Sequence, residues 1–264
     1  KSVEIYSAYL RWHDKKFLKK NVELKDSALG KRCFVIATGP SIKTQDLTRL
    51  AGEISISVSN FYVHPDFKTI KPLYHIFAPS HLPITPEQYG VMLKDSEKYF
   101  PENQNIFIST TDRHIVEKFD VLKKQNVYYY MPGHKDLKTR CTIDFTKQLP
   151  AIQTSPHIAI YLALYVSAKE IFLLGTDHDW ILHLGETRHF YDEKDSSLSQ
   201  AGYNEWSETD LGTECAAYVS LWDKYRKIRS YAKHRGIPMY NATVGGLLDL
   251  FPRKKLEDIT KETT

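Results

Sequence analysis

Residues 34–41 read FVIATGPS, a short apolar run that stops in a turn of small residues, Gly39, Pro40 and Ser41. The run has the pattern of a buried strand, and the turn is a place where backbone can come close to a ligand. Neither GxGxxG nor GxxxxGK followed by Ser or Thr is completed, so the two common glycine-loop routes to dinucleotides and to ATP lose support.

Outward from this stretch, apolar runs alternate with helical periodicity. CFVIAT, EISISVS, LYHIFA, NIFIST, VYYYM and EIFLLGT read as strands, and residues 45–51, 85–99, 112–124, 156–167 and 214–235 read as helices. Strand, helix, strand in repetition predicts an α/β domain with a mainly parallel sheet covered by helices on both faces. Ligands in such sheets sit beyond the carboxyl ends of the strands, where strand order reverses. The segments to inspect are therefore ATGPS, SNFY, APSH and GTDHDW.

The remaining organisation is simple. Residues 3–20 carry Ile5, Tyr6, Tyr9, Leu10, Trp12, Phe17 and Leu18 among Lys and Arg, which predicts an amphipathic helix. Residues 1–30 are read as that helix and its connection, and 31–264 as the α/β domain. Within the domain, 181–212 is the lid-like stretch: residues 192–210 lack periodicity, and Gly202 is a candidate hinge.

With 264 residues, 42% hydrophobic and 26% charged, the chain has ample material for a core. A net charge of +4 is too small for a nucleic-acid binder and favours an anionic ligand or an anionic membrane surface. Cys33, Cys141 and Cys215 are far apart with no CxxC pair, which excludes a zinc knuckle or disulfide framework and suggests a reducing cytoplasmic setting. No apolar run reaches the roughly 18 residues of a membrane span. The start shows no signal-peptide core, and the missing initiator Met suggests an excised chain. The basic N-terminal helix and PRKK at 252–255 admit contact with an anionic membrane face, or simply form a solvated basic surface.

At the strand ends, Asn60 offers an amide for a base or sugar edge, or a turn cap. Thr154 and Ser155 precede Pro156 at a helix start, where a hydroxyl cap is expected and a ribose or anion contact is a second role. Gly175, Asp177, His178 and Asp179 form the densest polar cluster. Asp177 and Asp179 read as a DxD, although that pattern is frequent by chance and metal binding is the lesser expectation. His183, Arg188, His189 and Tyr191 add cationic and hydrogen-bonding groups suited to a phosphate leaving group.

CFVIATGPSI, SVSNFY, IQTSPHIAIYLALYVSAKEIFLLGTD and SETD, in that order, resemble the motifs of bacterial sialyltransferases of glycosyltransferase family forty-two. They are also similar to the motility-accessory-factor proteins that glycosylate flagellin. The resemblance covers roughly residues 31–252. It implies a Rossmann-like domain that transfers an acidic sugar, such as sialic acid, Kdo or a related nonulosonate, from a CMP donor to an acceptor hydroxyl in bacterial surface glycan assembly. It places Gly39, Pro40, Ser41, Asn60, Thr154, Ser155, Gly175 and Asp177 by the nucleotide. Three departures stand out: Thr38 replaces an Asn, Ile152 an Arg, and Glu205 falls where the family has its catalytic His. The base is thus open among Glu205, His189, His178 and Asp179, and a carboxylate among Asp177, Asp179 and Glu205 could serve inversion or retention. A monophosphate leaving group needs no metal, with His189, Tyr191 and Arg188 expected to support it. Two other readings remain: a pterin-alcohol diphosphokinase using ATP and magnesium, and a non-catalytic nucleotide-binding module of a larger synthase.

Overall fold

The computed structural model describes residues 15–184, 188–192, 197–200 and 210–261. Eight strands form one sheet: β1 (Arg32–Ile36), β2 (Ile54–Val58), β3 (Tyr74–Ile76), β4 (Asn105–Ser109), β5 (Asn126–Gly133), β6 (Gln148–Ala151), β7 (Glu170–Leu174) and β8 (Met239–Asn241). Their order is β6-β5-β4-β3-β2-β1-β7-β8, and every pairing is parallel. The chain walks outward from β1 to β6, then returns to the other side of β1 as β7. The reversal therefore lies between β1 and β7, with Cys33 opposite Ile171 and Ile36 opposite Leu174.

Helices α1 (Phe67–Ile70), α2 (Pro86–Ser96), α3 (Arg113–Phe119), α4 (Ser155–Tyr165), α5 (Ser197–Gln200), α6 (Leu211–His234) and α7 (Leu256–Lys261) accompany the sheet, with short 3-10 segments between elements. On one face α4, buried continuously from Pro156 to Tyr165, packs between the sheet and α6. A helix apolar all round is stable only when enclosed in this way. Its outer partner α6 contributes Leu221, Tyr225, Ile228, Tyr231 and Ala232, a single stripe at helical spacing. On the opposite face α2, α3 and α7 cover a second core that holds Phe61, Phe67, Phe77 and Phe100. Thr85 starts α2 with a capping box: its hydroxyl accepts from the Gln88 N–H, and Gln88 Oε1 accepts from the Thr85 N–H. The arrangement is the α/β, Rossmann-like sheet covered on both faces that the sequence predicts.

Four elements call for comment against expectation. The strands β6 and β8, four and three residues long, are too short for their alternating burial to register as a periodicity in the sequence. Residues 45–51 are not an α-helix but a 3-10 turn, Leu47–Leu50, capped by Asp46 and stopped by Gly52 at φ 84°. Of the expected N-terminal helix, residues 3–14 lie outside the described residues. The part that follows is integral to the core: Leu18 and Leu24 are buried, and Asn21 donates to the carbonyls of Tyr129 and Phe145, each at 2.7 Å.

Candidate functional site

The turn after β1 and the turn after β7 are built against each other at the reversal. The Gly39 N–H donates to the Gly175 carbonyl at 2.9 Å. A Cβ on Gly39 would stand 2.0 Å from Asp177 Oδ2, so this crossing requires glycine. Asp177 then clamps the first turn, Oδ1 accepting from the Ser41 N–H at 2.9 Å and Oδ2 from the Ser41 hydroxyl at 2.8 Å. Burial pushes the Asp177 carboxyl up, the Ser41 donors pull it back, and the nearby Asp179 charge adds to the rise. Leu247 N–H closes the rear by donating to the Asp177 carbonyl at 2.8 Å. Within this turn the Gly39 N–H is spent on the Gly175 carbonyl and the Ser41 N–H on Asp177. Pro40 and Ser41 line neither cavity described below.

A second clamp repeats the first two strands away. Asp112, just after β4, accepts from the Ser80 N–H at 3.0 Å and from the Ser80 hydroxyl, locking the Ala78-Pro79-Ser80 turn after β3. Two Pro-Ser turns are thus each held by a carboxylate from the neighbouring strand's end, and of the two only Pro79-Ser80 lines the cleft.

Two adjoining cavities occupy that cleft. The larger, about 470 Å³, is lined on one side by Asn60, Ser80, His81, Tyr89 and Tyr191. The smaller, about 330 Å³, lies over Gly39, Gly175, Asp177, His178, Asp179 and Arg188. Ser59, Gln153, Thr154, Ser155 and His189 line both and form the neck between them. At the neck Ser59, held at φ 52°, has its hydroxyl 3.0 Å from that of Ser155. Thr154 occupies the N-cap position of α4 without a side-chain capping bond, contrary to the expected cap.

His189 is set by three contacts. Its Nδ1 lies 3.0 Å from Thr38 Oγ1, its ring stacks on Tyr191 at 5.0 Å and 12°, and the next residue's N–H donates to the Thr38 carbonyl at 2.8 Å. Arg188 lies 3.3 Å from Glu214 and 5.5 Å over Trp180, whose Nε1 donates to Glu214 at 2.6 Å. His178 has a different environment. Its Nε2 is 2.8 Å from the Tyr225 hydroxyl, Trp180 and Trp222 enclose it, and burial lowers its pKa to about 3. It is a neutral imidazole at pH 7, unsuited to neutralising a phosphate. Exposed His183 lines neither cavity, and Glu205 and Gly202 lie outside the described residues.

No protein-family profile and no curated protein matches the chain. Solved structures do. One is the sialyltransferase CstII from Campylobacter jejuni in complex with a substrate analogue, cytidine-5'-monophosphate, at 16% identity and TM-score 0.45, covering 85% of each chain. Another is the monofunctional α-2,3-sialyltransferase Cst-I from Campylobacter jejuni, at 16% identity and TM-score 0.46, covering 84% of this chain and 80% of that one. Likenesses at this level assign no activity, which has to be argued from the site.

Several lining residues were not singled out from sequence. Gln153 and Glu214 have no motif of their own, and Thr38 stands out only as a departure from the resembled family's Asn. Glu214 left one trace, an acid in the first turn of a helix whose buried stripe begins nearby. His81 and Ser80 were visible only as the end of a strand. Among the described residues, no three His, Cys, Asp or Glu side chains are grouped to hold a metal ion, and no helix is long and apolar enough to cross a membrane. Within PRKK, Arg253, Lys254 and Lys255 are all exposed, but the Arg253 guanidinium donates to the carbonyls of Thr243 at 2.9 Å and Gly246 at 3.0 Å.

Proposed function

We propose that the chain is a sialyltransferase-like glycosyltransferase that takes a CMP-activated acidic sugar and passes the sugar to a glycan or glycoconjugate hydroxyl. The observation that carries the reading is the two-compartment cleft at the strand-order reversal, joined at a neck of hydroxyls and one imidazole. The nucleotide fits over the glycines of the smaller compartment, the sugar lies in the larger one, and the bond between them crosses the neck. In the transfer the bond from the anomeric carbon to the phosphate oxygen breaks and its electron pair leaves with CMP. The acceptor oxygen bonds to the anomeric carbon and a base removes its proton.

His189 stands where charge builds on the departing phosphate, with Ser59, Thr154 and Ser155 as neutral donors beside it. Preorganised donors at that point lower the barrier without reorganising when the bond breaks. Asp177 serves as a clamp on the turn, since both its oxygens accept from Ser41. The motif order that resembles family forty-two supports cytidine as the base and sialic acid, Kdo or a related nonulosonate as the sugar. The donor is a substrate, and no further cofactor belongs to this reading. Work at the inner face of a bacterial membrane, where lipid-linked acceptors reside, accords with exposed Lys254 and Lys255.

Calorimetric titration with CMP, UDP, GDP and ATP with magnesium tests the reading, followed by assay of CMP release from CMP-sialic acid and CMP-Kdo. Preferential CMP binding with donor turnover supports it. Binding without turnover of any CMP-sugar points to a nucleotide-binding module, and magnesium-dependent ATP binding with no cytidine preference points to a diphosphokinase.

A further inference from the structure

The smaller cavity is lined by three carboxylates, and they are not equivalent. Asp177 spends both oxygens on Ser41. Glu214 takes the Trp180 indole N–H and lies against the Arg188 guanidinium. Asp179 stands at the start of the turn Trp180–Leu182 yet makes no side-chain capping bond to it. No hydrogen bond or ion pair to its carboxylate occurs among the described residues, and its side chain is half-buried on the cavity wall.

Position decides what such a group can do. Asp179 lines the smaller compartment alone, whereas the neck is formed by residues common to both. Its charge next to a phosphate would be repulsive, and the Arg188 cation nearby is already opposite Glu214. A half-buried carboxylate with unused lone pairs is instead matched by neighbouring hydroxyls, each donating one O–H to one oxygen.

We propose that Asp179 is a specificity-determining residue that accepts hydrogen bonds from the 2'- and 3'-hydroxyls of the nucleotide's ribose. This rests on the reading of the cleft as a nucleotide site, but not on cytidine as the base. It also takes Asp179 out of the candidates for the base that deprotonates the acceptor, because the reacting bond crosses the neck and Asp179 lies away from it. The anchor fixes the nucleoside end, so the phosphate is delivered to His189 and the neck hydroxyls.

The test compares binding of CMP, 2'-deoxy-CMP and 3'-deoxy-CMP to the unmodified chain and to Asp179→Ala and Asp179→Asn, with thermal midpoints confirming that each variant folds. The unmodified chain is expected to favour CMP at least tenfold over either deoxynucleotide. Asp179→Ala should bind all three within about threefold of one another, with Asp179→Asn in between. Undiminished ribose discrimination in Asp179→Ala overturns the proposal. So does unchanged CMP affinity with a hundredfold loss of turnover, which would make Asp179 a base. If the chain binds ATP or UDP in place of CMP and Asp179→Ala abolishes its preference over the deoxy form, cytidine is wrong and the ribose anchor stands. Binding of no ribonucleotide overturns both.

Discussion

Asp112 and Ser80 are joined twice, at the Ser80 N–H and at its hydroxyl, in the same manner as Asp177 and Ser41. Charge-assisted bonds to a buried carboxylate are worth about 1.5–3 kcal/mol each, and removing the acceptor leaves the donors unmet. Asp112→Ala is therefore expected to lower stability by about 2–4 kcal/mol and Ser80→Ala by about 1–2 kcal/mol. The double variant should fall well short of the sum, which urea midpoints of the four proteins would reveal as a coupling. Strict additivity would mean that the pair is adjacent without being linked.

Gly39→Ala is expected to act on the cleft more than on the fold. Its Cβ would meet Asp177 Oδ2 at 2.0 Å and the Gly175 carbonyl at 2.6 Å, so one of the two turns must move. Nucleotide affinity should drop at least tenfold, a loss of about 1.4 kcal/mol or more by titration. Ala at Gly52, where no atom lies within 4 Å of the added Cβ, serves as a control away from the cleft, its φ of 84° carrying only local strain.

His189→Ala removes the imidazole at the neck. Turnover is expected to fall by about 100-fold, with a smaller change in the KM for donor, because the interaction grows as charge develops on the leaving phosphate. Thr38→Val keeps the ring and loses the hydroxyl at its Nδ1, so it should give a milder loss. Equal loss in kcat and donor affinity for His189→Ala would instead assign the ring to ground-state binding.

Stability should decline as pH falls below about 6.5. Burial lowers both His75 and His178 to about 3, beneath the value of an unfolded histidine. Above pH 6.5 both states are neutral and nothing is lost. Below it the unfolded chain takes up protons that the fold refuses, and each histidine costs about 1.4 kcal/mol per pH unit down to about pH 3. His178→Asn, a residue that tolerates the φ of 46° there, should flatten the dependence of the urea midpoint between pH 6.5 and 5. An unchanged slope would show that His178 titrates normally.

The central strands were legible because they are buried on both faces and so read as unbroken apolar runs, as in CFVI and EIFLL. Edge strands β6 and β8 were not, since short edge pairing is decided by neighbours rather than by local pattern. The glycines of the first and last site turns stood out because close backbone crossing has a residue signature. Thr38 and Tyr191 were visible as residues but not as contacts of His189, because they meet it only once residues 188–192 lie over the end of β1. Asp177 shows the deeper limit: the sequence displays a carboxylate near glycines, and only the Ser41 contacts reveal that it is spent on architecture.

Arg253 grips the loop at 243–248, and that loop supports Asp177 from behind through Leu247. Asp177 in turn seats the turn that follows the first strand. The opening turn of the sheet is therefore braced by a segment that follows all eight strands in the chain. A chain made only as far as Asn241 has its eight strands but lacks the brace behind Asp177, so the sheet can be complete before its first turn is secured.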